Sequence, residues 1–315
     1  VDPDLRRRLG AVALAVGAAF LWASYYAFVL TLAPTVSDSG LIVWPFAFGA
    51  LGYLVWAAAG GHLRRVSTLS RSAEAWGRVG LLVAMQLSVL AETFLAGAVD
   101  TSLLSLVGDV VLTPILVMLV LREGRERARD AVFLTGVVLA TAGATLTIVA
   151  GGSVRPLGVA AGVTAVIVPV VVAVYFLSAA RENRHTPTSA VIAHATAFAA
   201  LLGVLVSPAL PGGFAGLAIP SLTALGLLAT LGLTSFFVAP AMYFGAIERA
   251  GLLLPAVLMA AIPVFTLALA VALFHEVPAL LGLFGVPLAV VGAVLALQGS
   301  HPPWSRHYEG AAPAK

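Results

Sequence analysis

No cysteine occurs anywhere in the 315 residues, which excludes disulfides, thiol nucleophiles and thiolate-bound metals while naming no compartment. Charge is almost as scarce: Asp, Glu, Lys and Arg make up 10% of the chain, against roughly 25% in a soluble domain. The sequence has no GxxxxGK[ST] loop to cradle nucleotide phosphates, no HExxH pair and no metal-spaced Cys/His cluster. ATP-driven transport by this chain and zinc proteolysis therefore lack their machinery, and no cofactor or metal is called for. Ten-residue segments of alternating hydrophobicity are missing too, which argues against a membrane barrel.

What is present is apolar. The chain is 61% hydrophobic with a mean hydropathy of +1.05. Stretches of about 18 to 25 apolar residues recur along it, each long enough to cross a hydrocarbon core of ~30 Å as a helix. Helices are required because lipid cannot satisfy backbone N–H and C=O groups. The stretches predict ten spans, near 10–33, 41–60, 78–98, 102–121, 131–150, 156–178, 188–207, 220–246, 251–273 and 279–298. With a cytoplasmic N-terminus these spans put 16 of the 17 basic residues on one side, only Arg155 falling opposite. By the positive-inside rule both termini are cytoplasmic, and the protein is expected in the inner (cytoplasmic) membrane. The sorting also disposes of a nucleic-acid reading of the pI near 9.6, since the basic residues follow membrane side rather than forming a patch. The first span reads as a signal anchor rather than a cleaved peptide, residues 1–9 as a cytoplasmic lead and 299–315 as a polar, disordered tail.

Pro114, Gly136 and Gly143 recur as Pro263, Gly285 and Gly292, every pair 149 residues apart with no gap. The spacing divides the chain into repeats at 10–150 and 151–298. Five spans per half is an odd number, so the halves would enter the membrane in opposite directions, an inverted repeat with its site near the midplane. The expected fold class is an all-α integral membrane protein of ten helices in two inverted five-helix repeats.

The segment PVFTLALAVALFHEVPALLGLFGVPLAVVGAVLAL, a proline, an apolar run, an acid and two glycines seven apart, resembles the closing two helices of an EamA-type repeat in the drug/metabolite transporter superfamily. AMYFGAIERAG, from Ala241 to Gly251, is similar to that family's link between third and fourth helices, and AAFLWASYYAFV to its tryptophan-bearing first helix. The likeness covers nearly the whole chain. It implies a ten-helix basket that exports amino acids, metabolites or drugs. The halves differ in detail. Arg127 stands at the repeat position of Glu276, and Val170 or Val171 falls where a second tryptophan would be. Glu276 is a membrane-edge feature in that family and is not assigned a catalytic role.

Two acids have no structural reason to sit in apolar helices: Glu92 in LSVLAETFLAGA and Asp109 in LSLVGDVVLTP. They flank the turn at Val99–Ser102 almost symmetrically, so at ~1.5 Å rise per residue both lie roughly 12 Å below one end of a helical hairpin. The repeat puts Ala241 and Leu258 at their equivalents, so the acids are additions to the scaffold. An intramembrane carboxylate faces a cavity, a partner or a proton route. The pair is expected to bind the cationic end of a substrate or a proton exchanging with it; the plainer alternative is an acid held neutral by Ser88, Ser105 or Thr113. Ser105, Asp109 and Thr113 share a face at i, i+4 and i+8, as do Ser88 and Glu92, either as walls of a polar cavity or as interhelical glue.

Trp22 and Tyr26 share a face of the first span, with Trp22 near mid-depth, where an aromatic wall beside a carboxylate suits an ammonium group. Tyr25 is a weaker candidate. In the second half the candidates are His194, Thr196, Thr234, Ser235, Tyr175 and Tyr243, His194 as a proton relay or a satisfied structural group. Prolines 169, 240, 255, 263 and 287 fall inside spans and bend them. Together these predict a secondary transporter, with no enzyme activity, moving a small amine-bearing metabolite by alternating access, driven by proton exchange or facilitated diffusion. Its partners are then a small-molecule substrate, the lipid bilayer and protons, with no nucleic acid. The alternatives are choline-like uptake and an intramembrane enzyme using Glu92 and Asp109, although LVGDVV lacks the GxGD context of such hydrolases. A channel is weakened by the scarcity of polar residues along any continuous path.

Overall fold

The computed structural model describes residues 3–95, 101, 112–116, 119, 130–150, 159–259, 261–275 and 280–298. Among them every regular element is a helix. In chain order these are α1 (Pro3–Leu32), α2 (Asp38–Ala59), α3 (Leu63–Leu69), α4 (Ala73–Leu95), α5 (Thr113–Leu116), α6 (Ala131–Ala150), α7 (Val159–Glu182), α8 (Thr188–Val206), α9 (Leu222–Leu233), α10 (Ala239–Ala250), α11 (Leu253–Leu258), α12 (Ala261–Phe274) and α13 (Leu280–Gln298). A π-turn over Thr234–Val238 joins α9 to α10 without interrupting the rod.

Six helical stretches among the described residues are long and apolar enough to cross a membrane: Leu5–Leu32, Asp38–Ala59, Ala73–Leu95, Thr188–Ala209, Leu222–Ala250 and Leu254–Phe274. Large apolar side chains point outward from them and their neighbours, among them Leu51, Val138, Leu205, Leu222 and Phe284, all more than half exposed. An apolar exterior of this extent needs lipid rather than water around it, as in a multi-pass membrane protein. Most of the expected fourth span lies outside the described residues, as do 299–315.

The interior is built from small residues. On α1, Ala11, Ala15, Ala18, Ala19 and Ala23 are fully buried at helical spacing, and this stripe lets α10 and α12 close on it. Close approach of backbones is how apolar helices gain packing energy where no hydrophobic effect separates them from lipid. The most extensive pairing joins α6 to α13. There a Cβ on Gly143 would lie 2.5 Å from the carbonyl oxygen of Gly285, and one on Gly292 would lie 2.6 Å from that of Gly136. The two contacts are the same contact after a shift of 149 residues.

Among the described residues the arginines collect at one pole. Arg7 donates to the Glu248 carbonyl at 3.3 Å, Thr188 to the Glu248 carboxylate at 2.8 Å, His62 pairs with Ser189 at 2.8 Å, and Arg78 meets Glu182 at 3.3 Å. These contacts gather the starts of α1, α4 and α8 with the ends of α2, α7 and α10. The opposite pole is tied by hydroxyl and indole groups instead. Ser37 and Ser39 donate to the carbonyls of Gly216 at 2.8 Å and Gly213 at 3.0 Å, and Trp44 donates to that of Leu217 at 2.9 Å.

Three local features depart from the sequence expectation. The link 60–78, between two predicted spans, contains a further helix, α3, packed on α8. The third helix runs from Ala73 to Leu95 rather than over 78–98. The ninth is broken between α11 and α12, because Pro263 has no N–H for the Met259 carbonyl, which accepts from Ile262 at 2.9 Å instead and tightens the turn.

Candidate functional site

Pro240 sets the geometry of the site. In an unbroken α-helix its nitrogen would donate to Phe236, and the pyrrolidine ring would press on that carbonyl. The chain widens into the π-turn, and the Ala239 N–H bonds back to Thr234. Ser235 thereby loses both possible donors from its own helix: the residue four on is committed to Thr234, and the residue five on is proline. Its carbonyl takes the Trp22 indole N–H at 3.0 Å. The Ser235 hydroxyl returns a bond to the Leu21 carbonyl at 3.2 Å, so α1 and the π-turn are latched from both sides. Trp22→Phe keeps a ring but orphans that carbonyl. It is expected to cost about 1–3 kcal/mol, read by SDS-titration unfolding; unchanged stability would refute the latch.

Around the latch the aromatic rings converge. Trp22 packs against Tyr243 and Phe176 with centroids 5.3 and 5.5 Å apart, and Phe176 against Tyr243 at 5.0 Å. Tyr25 packs on Tyr26 at 5.3 Å and on Phe236 at 6.1 Å. Trp22, Tyr25, Tyr26, Phe176 and Phe236 border a cavity of ~100 Å³ between α1, α4, α7, α8, the π-turn, the start of α10 and α12. Its polar lining includes Gln86, whose amide donates to the Tyr25 hydroxyl at 2.7 Å, and the hydroxyl-bearing Tyr26, Tyr175, Thr196 and Ser235; no charged side chain lines it.

The seam between α4 and α7 runs past this cavity and carries a polar clamp at each end. Leu82, Met85, Gln86 and Val89 on α4 face Val172, Tyr175 and Phe176 on α7 across the cavity. One turn beyond Leu82, toward the charged pole, Arg78 pairs with Glu182, their side chains 4% and 22% exposed. One turn beyond Val89 in the other direction lies Glu92, wholly buried, with Thr164 of α7 donating to its Oε2. Its Oε1 has no partner among the described residues. The two helices are antiparallel, so the clamps are the two ends of one contact.

Of the residues singled out in the sequence, Trp22, Tyr25, Tyr26, Tyr175, Thr196 and Ser235 line the cavity. Tyr243 packs behind Trp22. Glu92 sits on the cavity stripe but past its end. The hydroxyl that meets it is Thr164 rather than Ser88, which turns back to its own helix at Ala84 (2.7 Å). Thr234 likewise bonds to Thr230 on its own helix at 2.7 Å. His194 packs against Trp76 and Phe198 on another face of α8 from Ile192 and Thr196, and does not line the cavity. Asp109 and Ser105 lie outside the described residues, as does the side chain of Thr113. Sequence reasoning missed Gln86, Phe176, Phe236, Thr164 and the burial of Arg78. A polar series at helical spacing on α4, Arg78, Gln86 and Glu92, was the available signal.

The fold is similar to that of a solved structure described only as "Crystal structure of protein", one of twenty matching chains. The TM-score is 0.71 at 21% identity, over 94% of this chain and 100% of that one. At that identity the likeness concerns the fold alone. No family model and no curated protein matches the chain.

Proposed function

We propose that this protein is a secondary transporter of the EamA type, in the drug/metabolite transporter superfamily. It moves a small amine-bearing metabolite, such as an amino acid or organic cation, across the cytoplasmic membrane, outward as the resemblance implies. The observation that carries the reading is the uncharged, aromatic-walled cavity in the interior of an apolar helical bundle, with a polar clamp across the α4–α7 seam on either side. Aromatic faces attract ammonium groups most strongly where water is excluded. Glu92, next along the cavity stripe, supplies the anion that such a group or a proton would meet on its way.

Ligand pockets usually enclose about 300–1,000 Å³, so ~100 Å³ holds an ammonium head but not a whole metabolite. Admission then requires the helices around the cavity to part, as alternating access demands. The reciprocal contacts of Gly143 and Gly292 support a two-fold relation between halves, and the gathering of basic residues at one pole supports cytoplasmic termini.

The test is a thermal-shift screen of amines, amino acids and nucleobases at two pH values on the full chain, followed by transport of any hit in proteoliposomes. A substrate stabilises by mass action, in a concentration-dependent manner. Glu92→Gln and Asp109→Asn should each abolish or uncouple its transport. Undiminished transport with unchanged pH dependence in both variants would remove the acids from the mechanism. Chemical turnover of the hit in detergent would replace the transporter with an enzyme.

A further inference from the structure

A second concavity opens on the outside of the bundle. It is a groove of ~1010 Å³ between α1, α2, α10 and the start of α8. Its walls are apolar along most of their length, with Leu51, Val55 and Trp56 of α2 exposed by 58, 61 and 40% and facing Leu233, Phe237 and Val238. All its polar groups are at one end: His62, Thr188, Ser189, Glu248 and Arg249.

That order has a length scale. From Val238 to Arg249 the groove descends eleven residues of one helical rod, roughly 16 Å along a helix, close to half of a ~30 Å hydrocarbon core. It therefore spans one leaflet, apolar where acyl chains lie and polar where headgroups lie. With Arg7 beside it, the polar end carries one net positive charge, Arg7 and Arg249 against Glu248. Glu248 is engaged, its carboxylate by Thr188 at 2.8 Å and its carbonyl by Arg7 at 3.3 Å. Arg249 is exposed; its one recorded bond is a 3.5 Å contact to the Gly245 carbonyl on its own helix, and no ion pair to it occurs among the described residues.

We propose that the groove is a binding site for an anionic glycerophospholipid of the leaflet at the charged pole. One acyl chain lies along Leu51, Val55 and Phe237, and the phosphate-bearing headgroup sits at Arg249 and Arg7. Two basic residues less one acid leave one net positive charge, enough to favour an anionic over a zwitterionic lipid by roughly fivefold. The groove and the aromatic cavity take different faces of the π-turn, Phe237 and Val238 lining the one and Ser235 and Phe236 the other, and the lipid site rests on the groove alone.

Native mass spectrometry and thermal shift on the full chain, with dioleoyl-phosphatidylglycerol and dioleoyl-phosphatidylcholine as acyl-matched probes, test this. Wild type should retain phosphatidylglycerol adducts and be stabilised by that lipid at roughly fivefold lower concentration than by phosphatidylcholine. The double variant Arg7→Gln/Arg249→Gln, both on the exposed surface, should bind the two lipids alike. Val55→Trp, which fills the groove from an outward-facing position, should weaken both. Equal binding of the two lipids by wild type overturns the proposal, as does an undiminished preference in the double variant. A stable dimer that Val55→Trp dissociates would assign the groove to a second copy instead and also overturns it.

Discussion

Glu182→Gln should lower stability by about 3 kcal/mol, because it leaves the Arg78 guanidinium buried without its counter-charge. Arg78 is the sixth residue of α4, near the positive end of that helix dipole, and Glu182 is the last residue of α7, at the negative end. Each charge is at the unfavourable end of its own helix, so neither is placed there by local electrostatics. The pair exists because the two helices meet. The Arg78 Nη2 atom has no partner among the described residues, so the guanidinium is only partly compensated even in the wild type. Replacing both members with apolar residues of similar volume, Arg78→Met with Glu182→Leu, should therefore recover most of the loss, as buried ion pairs often allow. SDS-titration unfolding of the two single variants and the double variant reads this as a cycle. A single variant as stable as wild type would mean that water reaches the pair.

Gly143→Ala and Gly292→Ala should each cost about 3 kcal/mol, at the upper end of overpacking penalties. The atoms a Cβ would strike are backbone on both sides, including the Cα atoms of Ala289 and Ala140, each 2.8 Å away. Backbone cannot rotate aside as a side-chain tip can, so α6 and α13 must separate along their whole contact. Because one separation of the two helices relieves both clashes, the two losses share a backbone shift and should sum to less than their simple total. The double variant should yield little folded protein by size-exclusion chromatography. Gly226→Ala is the control: nothing lies within 4 Å of its Cβ position, and removing a helical glycine should be neutral or stabilising by up to about 1 kcal/mol. If Gly143→Ala is as stable as Gly226→Ala, the close approach of α6 and α13 is not needed.

Elements with a strong apolar signal were legible in the sequence, and those set by backbone donors were not. Pro240 was visible as a bend, but that the bend is a π-turn follows from which carbonyl finds a partner, and the partner, Trp22, is 213 residues away. Glu92 was visible because an acid in LSVLAETFLAGA is costly wherever it points. Its hydroxyl partner was sought on its own hairpin, where helical spacing offered Ser88; the fold brings Thr164 across from α7. Arg78 was counted with the membrane-side arginines, since burial of a long side chain beside a helix start leaves no mark in composition.

Composition and periodicity by themselves determined that the chain is a bundle of apolar helices with its basic residues at one pole, because hydrocarbon forbids unpaired backbone and Lys and Arg are retained on one side of the membrane. They also determined that Glu92 and Trp22 are out of place unless something meets them. Only the tertiary structure decided what does. The Ser235 carbonyl is freed by a proline five residues later, the Thr164 hydroxyl is delivered by an antiparallel neighbour, and rings from separate helices converge on the cavity between them. Those outcomes depend on contacts between residues far apart in the chain, whose distances no local pattern encodes.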